Sequence, residues 1–160
     1  MIAAIRCIWR WVIKRVNRVI AIGDIHGHSL AVNSLVDWIR PDRRDTLVFL
    51  GDYVSRGPDS SGTVERIIRL AEHCNVVSLK GNHEEMLLNA FRSPRDLGAW
   101  MSCGGQATLD SYGGTLENLP PEHLDFFRGL QLFYEIESHF FIHANYAPNW
   151  RLEDHDTKTA

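Results

Sequence analysis

The chain has 160 residues, 44% hydrophobic and 23% charged, with a net charge of −3. These are ordinary values for a single globular domain with a proper core, so a disordered or fibrous protein is excluded. Residues 1–18 carry five basic residues and no acid, whereas the remainder carries 12 basic and 20 acidic residues; so acidic a body gives no support to a nucleic-acid footprint.

The basic start has a pattern. Arg6, Arg10, Lys14 and Arg18 recur every four residues, with Ile2, Ile5, Trp9, Val12, Ile13 and Val16 on the opposite face. This is an amphipathic helix with two tryptophans, of the kind that makes weak contact with an anionic membrane through residues 2–16, or packs on the domain. An upstream start codon, adding residues the fold does not use, is the third reading. Charges interrupt any run near the ~20 apolar residues that a span requires. No A-x-A-like cleavage site follows, which speaks against a signal peptide. We therefore expect an N-terminal extension over 1–17 and one domain over 18–160. Cys7, Cys74 and Cys103 are odd in number, with no C-x-x-C pair. They read as reduced thiols in a cytoplasmic protein.

Val19 to Ile22 is a short β-branched run ending at Gly23 and predicts a buried strand. Ser29 is the expected cap of a helix carrying Leu30, Val32, Leu35, Val36 and Ile39, which Pro41 terminates. Thr46 to Leu50 is the second strand. Ser60 or Ser61 opens a helix with Val64, Ile67, Ile68 and Leu70. Val76 to Leu79 is the third strand, and Glu84 to Phe91 starts the next helix. Asp24 to Asp52 is 28 residues and Asp52 to Asn82 is 30, close to the ~30 of a β-α-β unit. Apolar strands alternating with helices imply an α/β sheet covered on both faces, with ligands beyond the carboxyl ends of the strands. Further on, Pro94 to Met101 and Gln106 to Tyr112 predict short helices separated by Gly104-Gly105. Pro121 opens a helix through Arg128 that Gly129 ends. Leu132 to Ile136 and His139 to Ile142 predict a hairpin turning at Ser138.

Four signatures sit at these element ends: G-D-I-H-G (Gly23 to Gly27), G-D-Y-V-S-R-G (Gly51 to Gly57), G-N-H-E (Gly81 to Glu84) and F-I-H-A (Phe141 to Ala144). Carboxylate, imidazole and amide ligands with no thiolate suit two divalent cations of the manganese, iron or zinc kind. Two such ions are the usual clamp for hydrolysing phosphate esters. Asp24 and His26, two residues apart, can point at one ion. Asp52 can bridge both, and Asn82 and His143 serve the second. Arg56 offers a planar fork of donors for phosphoryl oxygens. His83, beside Asn82, is placed to protonate a leaving alkoxide.

These residues resemble the calcineurin-like metallophosphoesterases, specifically bacterial serine/threonine phosphatases of the phosphoprotein phosphatase type. The likeness runs from about Val19 to Asp154 and includes C-G-G-Q-A-T-L-D-S-Y-G (Cys103 to Gly113) and H-A-N-Y-A-P (His143 to Pro148). It implies a layered β-sheet core flanked by helices and a two-metal site of Asp24, His26, Asp52, Asn82 and His143. Manganese is the expected metal, with iron or zinc as alternatives. Arg56 and Asn82 would bind substrate, and Arg56 and His83 would act in catalysis. The implied substrate is a phosphorylated protein or a small phosphoester. Symmetrical diadenosine tetraphosphate hydrolases look similar, although they usually carry Asp where Glu84 stands.

Two departures stand out. Ser55 occupies the place where the family writes a carboxylate that orients and charge-stabilises His83; serine can hydrogen-bond but brings no charge. In addition, the family continues to a second phosphate-binding arginine and a G-H-T motif, whereas this sequence ends in the polar run Arg151 to Ala160. That implies a domain lacking its C-terminal strands, a weakly held second ion, or an inactive metal- or phosphate-binding remnant. His155 is the stand-in ligand that the run offers.

Overall fold

A computed structural model describes residues 17–137 and 139–144. The amphipathic pattern of 2–16, the turn residue Ser138 and the run containing His155 lie outside the described residues.

The first half is a repeated strand–helix unit. Strand β1 (Val19–Ile22) leads to helix α1 (Ser29–Ile39), β2 (Thr46–Phe49) to α2 (Ser60–Leu70), and β3 (Asn75–Ser78) to α3 (Asn82–Ala90). The three strands form a parallel sheet in the order β1-β2-β3, with Val19 level with Thr46 and Thr46 level with Asn75. Central β2 is the best covered, with Leu47, Val48 and Phe49 fully buried. Leu47 and Phe49 pack in one core with Val64, Ile67 and Leu70 of α2 and Leu87 of α3.

Cover on both faces holds for β2 but not for β1. Ile22 is buried, while Val19 is 42% exposed and Ala21 is exposed. The alternation of strand side chains puts Val19 and Ala21 on one face. That face lines a groove whose far wall is Ile136, His139 and Phe141.

Several helix starts differ from expectation. His28, not Ser29, is the N-cap of α1 and makes no side-chain cap; the Ser29 hydroxyl donates to Asp59. Asp59, not Ser60 or Ser61, caps α2 by accepting the Gly62 N–H at 2.8 Å. A carboxylate there complements the positive helix end better than a hydroxyl. Helix α3 begins at Asn82 rather than Glu84, which brings Asn82 and His83 into its first turn. The end of α1 is as expected: Arg40 takes a left-handed conformation and Pro41 follows.

Helices α4 (Pro94–Trp100) and α5 (Gln106–Ser111) are joined by a wide helical turn over Met101–Gly105, in which Gly104 has φ +96°. Gly104 thus leaves the helical region and separates the two helices by a kink, as the sequence predicts. Helix α6 (Pro121–Arg128) follows. Strands β4 (Phe133–Ile136) and β5 (His139–Ile142) then pair antiparallel, Phe133 opposite Ile142. Before the hairpin, Gln131 bridges Leu79 and so extends the parallel sheet past β3.

Candidate metal centre and phosphate site

The four signatures meet at the carboxyl ends of β1, β2 and β3. Two loops are stapled backbone to backbone: the Ile25 and His26 amides donate to Asp52 O at 3.0 and 2.8 Å, and Gly27 donates to Tyr53 O at 2.8 Å. His26, Asp52, Ser55 and Arg56 all have positive φ, between 46° and 70°. Non-glycine residues adopt this region at a cost, and they gather at functional sites where surrounding contacts hold them there.

Glycine is required where the loops touch. A Cβ on Gly81 would run into the Asp52 carboxylate and sit 2.8 Å from Glu84 Oε2. A Cβ on Gly51, at φ +111°, would sit 2.7 Å from Gly81 N and 2.8 Å from His143 Nδ1. The loops after β2 and β3 are therefore in backbone contact, with Asp52 between them.

Asp52 is 4% exposed and its two oxygens look in different directions. Oδ2 lies 3.6 Å from His26 Nε2 and 3.9 Å from His83 Nε2. Oδ1 lies 3.5 Å from His143 Nε2 and accepts the His83 amide at 3.1 Å. The histidine tautomers follow from their partners. His26 Nδ1 donates to Val54 O at 2.9 Å, and His143 Nδ1 donates to Leu50 O at 2.8 Å. Each ring therefore keeps an Nε2 lone pair directed at Asp52, the arrangement that metal-bound histidines use.

Asn82 Oδ1 lies 3.2 Å from His143 Nε2. Two acceptors beside a carboxylate form a donor set that would suit a cation. The donor set fits a divalent metal pair with nitrogen and oxygen preference. His26 and Asp52 would hold one ion; Asp52, Asn82 and His143 would hold the other. Asp24, two residues before His26, is exposed on the loop after β1 and lies outside the tight group of His26, Asp52 and His83, whose ligand atoms are all within 4.8 Å of one another.

Arg56 reaches over this cluster. Its Nη1 donates to His26 Nε2 at 3.1 Å and its Nη2 to His83 Nε2 at 3.2 Å. The His26 and His83 rings meet edge to face at 4.8 Å. Burial pushes the His83 imidazole below its usual range, with the positive potential of His26, Arg56 and His143 adding to this against the pull of Asp52.

Sequence reasoning missed the supports. Glu84 is fully buried and its carboxylate accepts the amides of Asp52 and Tyr53 at 2.8 Å and of Gly81 at 3.0 Å. It is the clamp that holds the loops after β2 and β3 together. Burial and the neighbouring Asp52 charge push it up to about 7, against the pull of those amides. The segment from α4 to α5 backs the Arg56 loop: the Arg56 amide donates to Gly104 O at 3.0 Å, the Ser55 amide to Thr108 Oγ1 at 2.8 Å, and Trp100 Nε1 to Ser55 Oγ at 3.0 Å. The run from Cys103 to Gly113 stood out in the sequence, but nothing local tied it to position 55.

The profile of the calcineurin-like phosphoesterases matches residues 17–158. The chain belongs to this family. Among curated relatives, the symmetrical bis(5'-nucleosyl)-tetraphosphatase of Nitrosomonas europaea is 30% identical over 139 residues, covering 83% of this chain and 46% of the relative. That of Ralstonia nicotianae is 33% identical over 135 residues, 84% of this chain and 44% of the relative. Serine/threonine-protein phosphatase 1 of Salmonella typhimurium is 34% identical over 93 residues, 58% of this chain and 41% of the relative. The chain thus spans about half the length of the curated relatives it matches. A cold-active protein-tyrosine phosphatase of Shewanella shares the fold at TM-score 0.67 and 19% identity, over 91% of this chain and 47% of that one. Family membership agrees with the α/β layered fold and a dinuclear site. The first expectation for substrate, a phosphoprotein, corresponds to the Salmonella relative, which aligns over 58% of this chain, against 83% and 84% for the Nitrosomonas and Ralstonia tetraphosphatases. Among the described residues no helix is long and apolar enough to cross a membrane.

Proposed function

We propose that this phosphoesterase hydrolyses phosphoric anhydrides of the symmetrical dinucleoside tetraphosphate class, using a divalent metal pair. The hydrolytic reading rests on Asp52, whose oxygens face His26 on one side and His143 with Asn82 on the other. The substrate class is supported by tetraphosphatase relatives that align over more than four-fifths of the chain. When bound, the metals supply a nucleophilic hydroxide at neutral pH and a clamp on the phosphoryl oxygens. Asp52, Asn82, His26 and His143 hold them. Arg56, with both terminal nitrogens turned into the site, binds non-bridging phosphoryl oxygens and orients the phosphate for in-line displacement. Asn82 would contact the same oxygens.

The second reading, a protein serine/threonine phosphatase, is favoured by the G-N-H-E sequence at Gly81–Glu84 and by the Salmonella relative. Manganese-dependent assays with diadenosine tetraphosphate and a phosphoserine peptide, side by side, separate the two. Faster formation of ADP from the dinucleotide is expected; faster release of phosphate from the peptide would reverse the assignment. Asp52→Asn is expected to abolish both activities and to weaken manganese binding by calorimetry. Unchanged metal affinity in that variant would remove the metal centre.

A further inference from the structure

We propose that residues 2–16 and the outer face of α1 together dock the chain on an anionic lipid surface. This docking is independent of the substrate and of the metal centre. Its starting point is the basic run that the hydrolytic site does not use. At helical spacing, Ile2, Ile5, Trp9, Val12, Ile13 and Val16 share one side of that run, while Arg6, Arg10, Lys14 and Arg15 line the other with no acid among them. A helix that packs on its own domain needs only a polar outer face, which mixed charges supply. A face of one sign, with tryptophan beside it, is what an anionic interface selects.

A second contact adjoins it in the structure. Leu30 and Trp38 are 80% and 82% exposed, the highest values for large hydrophobic side chains among the described residues. They share one face of α1 with the exposed Ala31 and Ser34, roughly 12 Å apart along the axis. Val32, Val36 and Ile39 of the same helix are buried in the core, which fixes that face outward. The basic run joins the domain at the end of this helix. Arg18 grips Asp45, and its Nη2 donates to Ile39 O at 3.3 Å. The chain therefore enters beside the last turn of α1, which carries Trp38. Two apolar faces, one before β1 and one on α1, thus come together where a single bilayer interface meets both.

Charge decides between lipid and a fold-back onto the domain. The groove beside β1 is apolar as well, but Glu137 is the only acid among the described residues that line it. It offers one partner to four bases. Around Trp38 the domain mixes signs, with Arg40, Arg43 and Arg44 near Asp37 and Asp42, so the attraction comes from residues 6–15. Each base close to an anionic leaflet strengthens binding about fivefold, and salt screens that gain.

The test is flotation of the full chain with vesicles of phosphatidylcholine, either alone or with roughly 30% phosphatidylserine. We expect binding to the anionic vesicles only, lost at about 0.5 M salt. Arg10→Ala combined with Lys14→Ala should weaken it about 25-fold. Trp38→Ser, at a side chain already in water, should weaken it roughly tenfold through lost apolar contact. Hydrolysis of p-nitrophenyl phosphate checks that both variants are folded. Wild type left in the aqueous phase with both vesicles would overturn the proposal, whatever the variants do; that is the outcome if residues 2–16 cover the groove or take no part in the fold. Equal binding to neutral and anionic vesicles, or binding to a duplex oligonucleotide in place of vesicles, would overturn it too. Wild-type affinity in Trp38→Ser would take α1 out of the contact and refute the shared surface.

Discussion

Asp45→Asn tests the electrostatics of the scaffold at the end of the sheet opposite the metal site. Asp45, just before β2, is 1% exposed. It accepts a two-pronged bond from Arg18, just before β1, at 2.9 Å from Nε and 2.6 Å from Nη2, and it accepts the Asp42 amide at 2.9 Å. Arg18 first, then the Asp42 amide, hold its carboxyl at about 2 instead of 3.8, against the opposing effect of burial. That difference corresponds to about 2 kcal/mol at neutral pH, allowing for the partial exposure of Arg18. The native value lies below the unfolded one, so this stability is present above about pH 4 and is lost as pH falls toward about 2; roughly half remains at pH 3. Urea unfolding of wild type and Asp45→Asn should therefore differ by about 2 kcal/mol at pH 7 and about 1 kcal/mol at pH 3. A domain of this size should lose about 4–8 °C in Tm at pH 7. Turnover at 25 °C should be unaltered, because the pair lies at the amino ends of the strands. A difference that is the same at both pH values would mean that Asp45 acts by shape rather than charge.

The remaining predictions concern the site. Gly81→Ala places a Cβ against the Asp52 carboxylate; since a 1 Å misplacement costs about 10²-fold, turnover should drop by at least that factor with far-ultraviolet circular dichroism preserved, and a loss under tenfold would refute the close approach. Arg56→Lys keeps the charge but loses the fork; kcat/KM should fall roughly 10–100-fold, the equivalent of one charged hydrogen bond, and an unchanged value would remove Arg56 from phosphate binding. Glu84→Ala leaves the amides of Asp52, Tyr53 and Gly81 without their acceptor. At roughly 1–3 kcal/mol each this approaches the whole stability of a domain, so near-ultraviolet dichroism should collapse; a native spectrum would show that water replaces the carboxylate.

Much of the fold was legible because its cues are local. β-branched runs ending at glycine, followed by apolar positions at helical spacing, place β1, α1, β2, α2 and β3 within a residue or two. Their near-constant interval identifies the parallel repeat. Misplaced helix starts, such as Asp59 taking the cap from Ser60, arise because several capping residues compete and only the surrounding contacts choose among them.

Residue chemistry named Asp24, His26, Asp52, Asn82 and His143 as candidate ligands and Arg56 as the candidate phosphate group, from hard donors placed beside glycine. It could not say which way each pointed. Only the folded chain turns the Asp52 oxygens apart, sets the histidine tautomers through Val54 and Leu50, and leaves Asp24 exposed. It also gives Glu84 its task and binds Ser55 to Trp100, 45 residues away. A hydrogen bond between distant residues leaves no periodicity in the chain. Ligand identity is therefore written locally, whereas ligand direction and the partner of each buried polar atom exist only once the strands, loops and helices have packed.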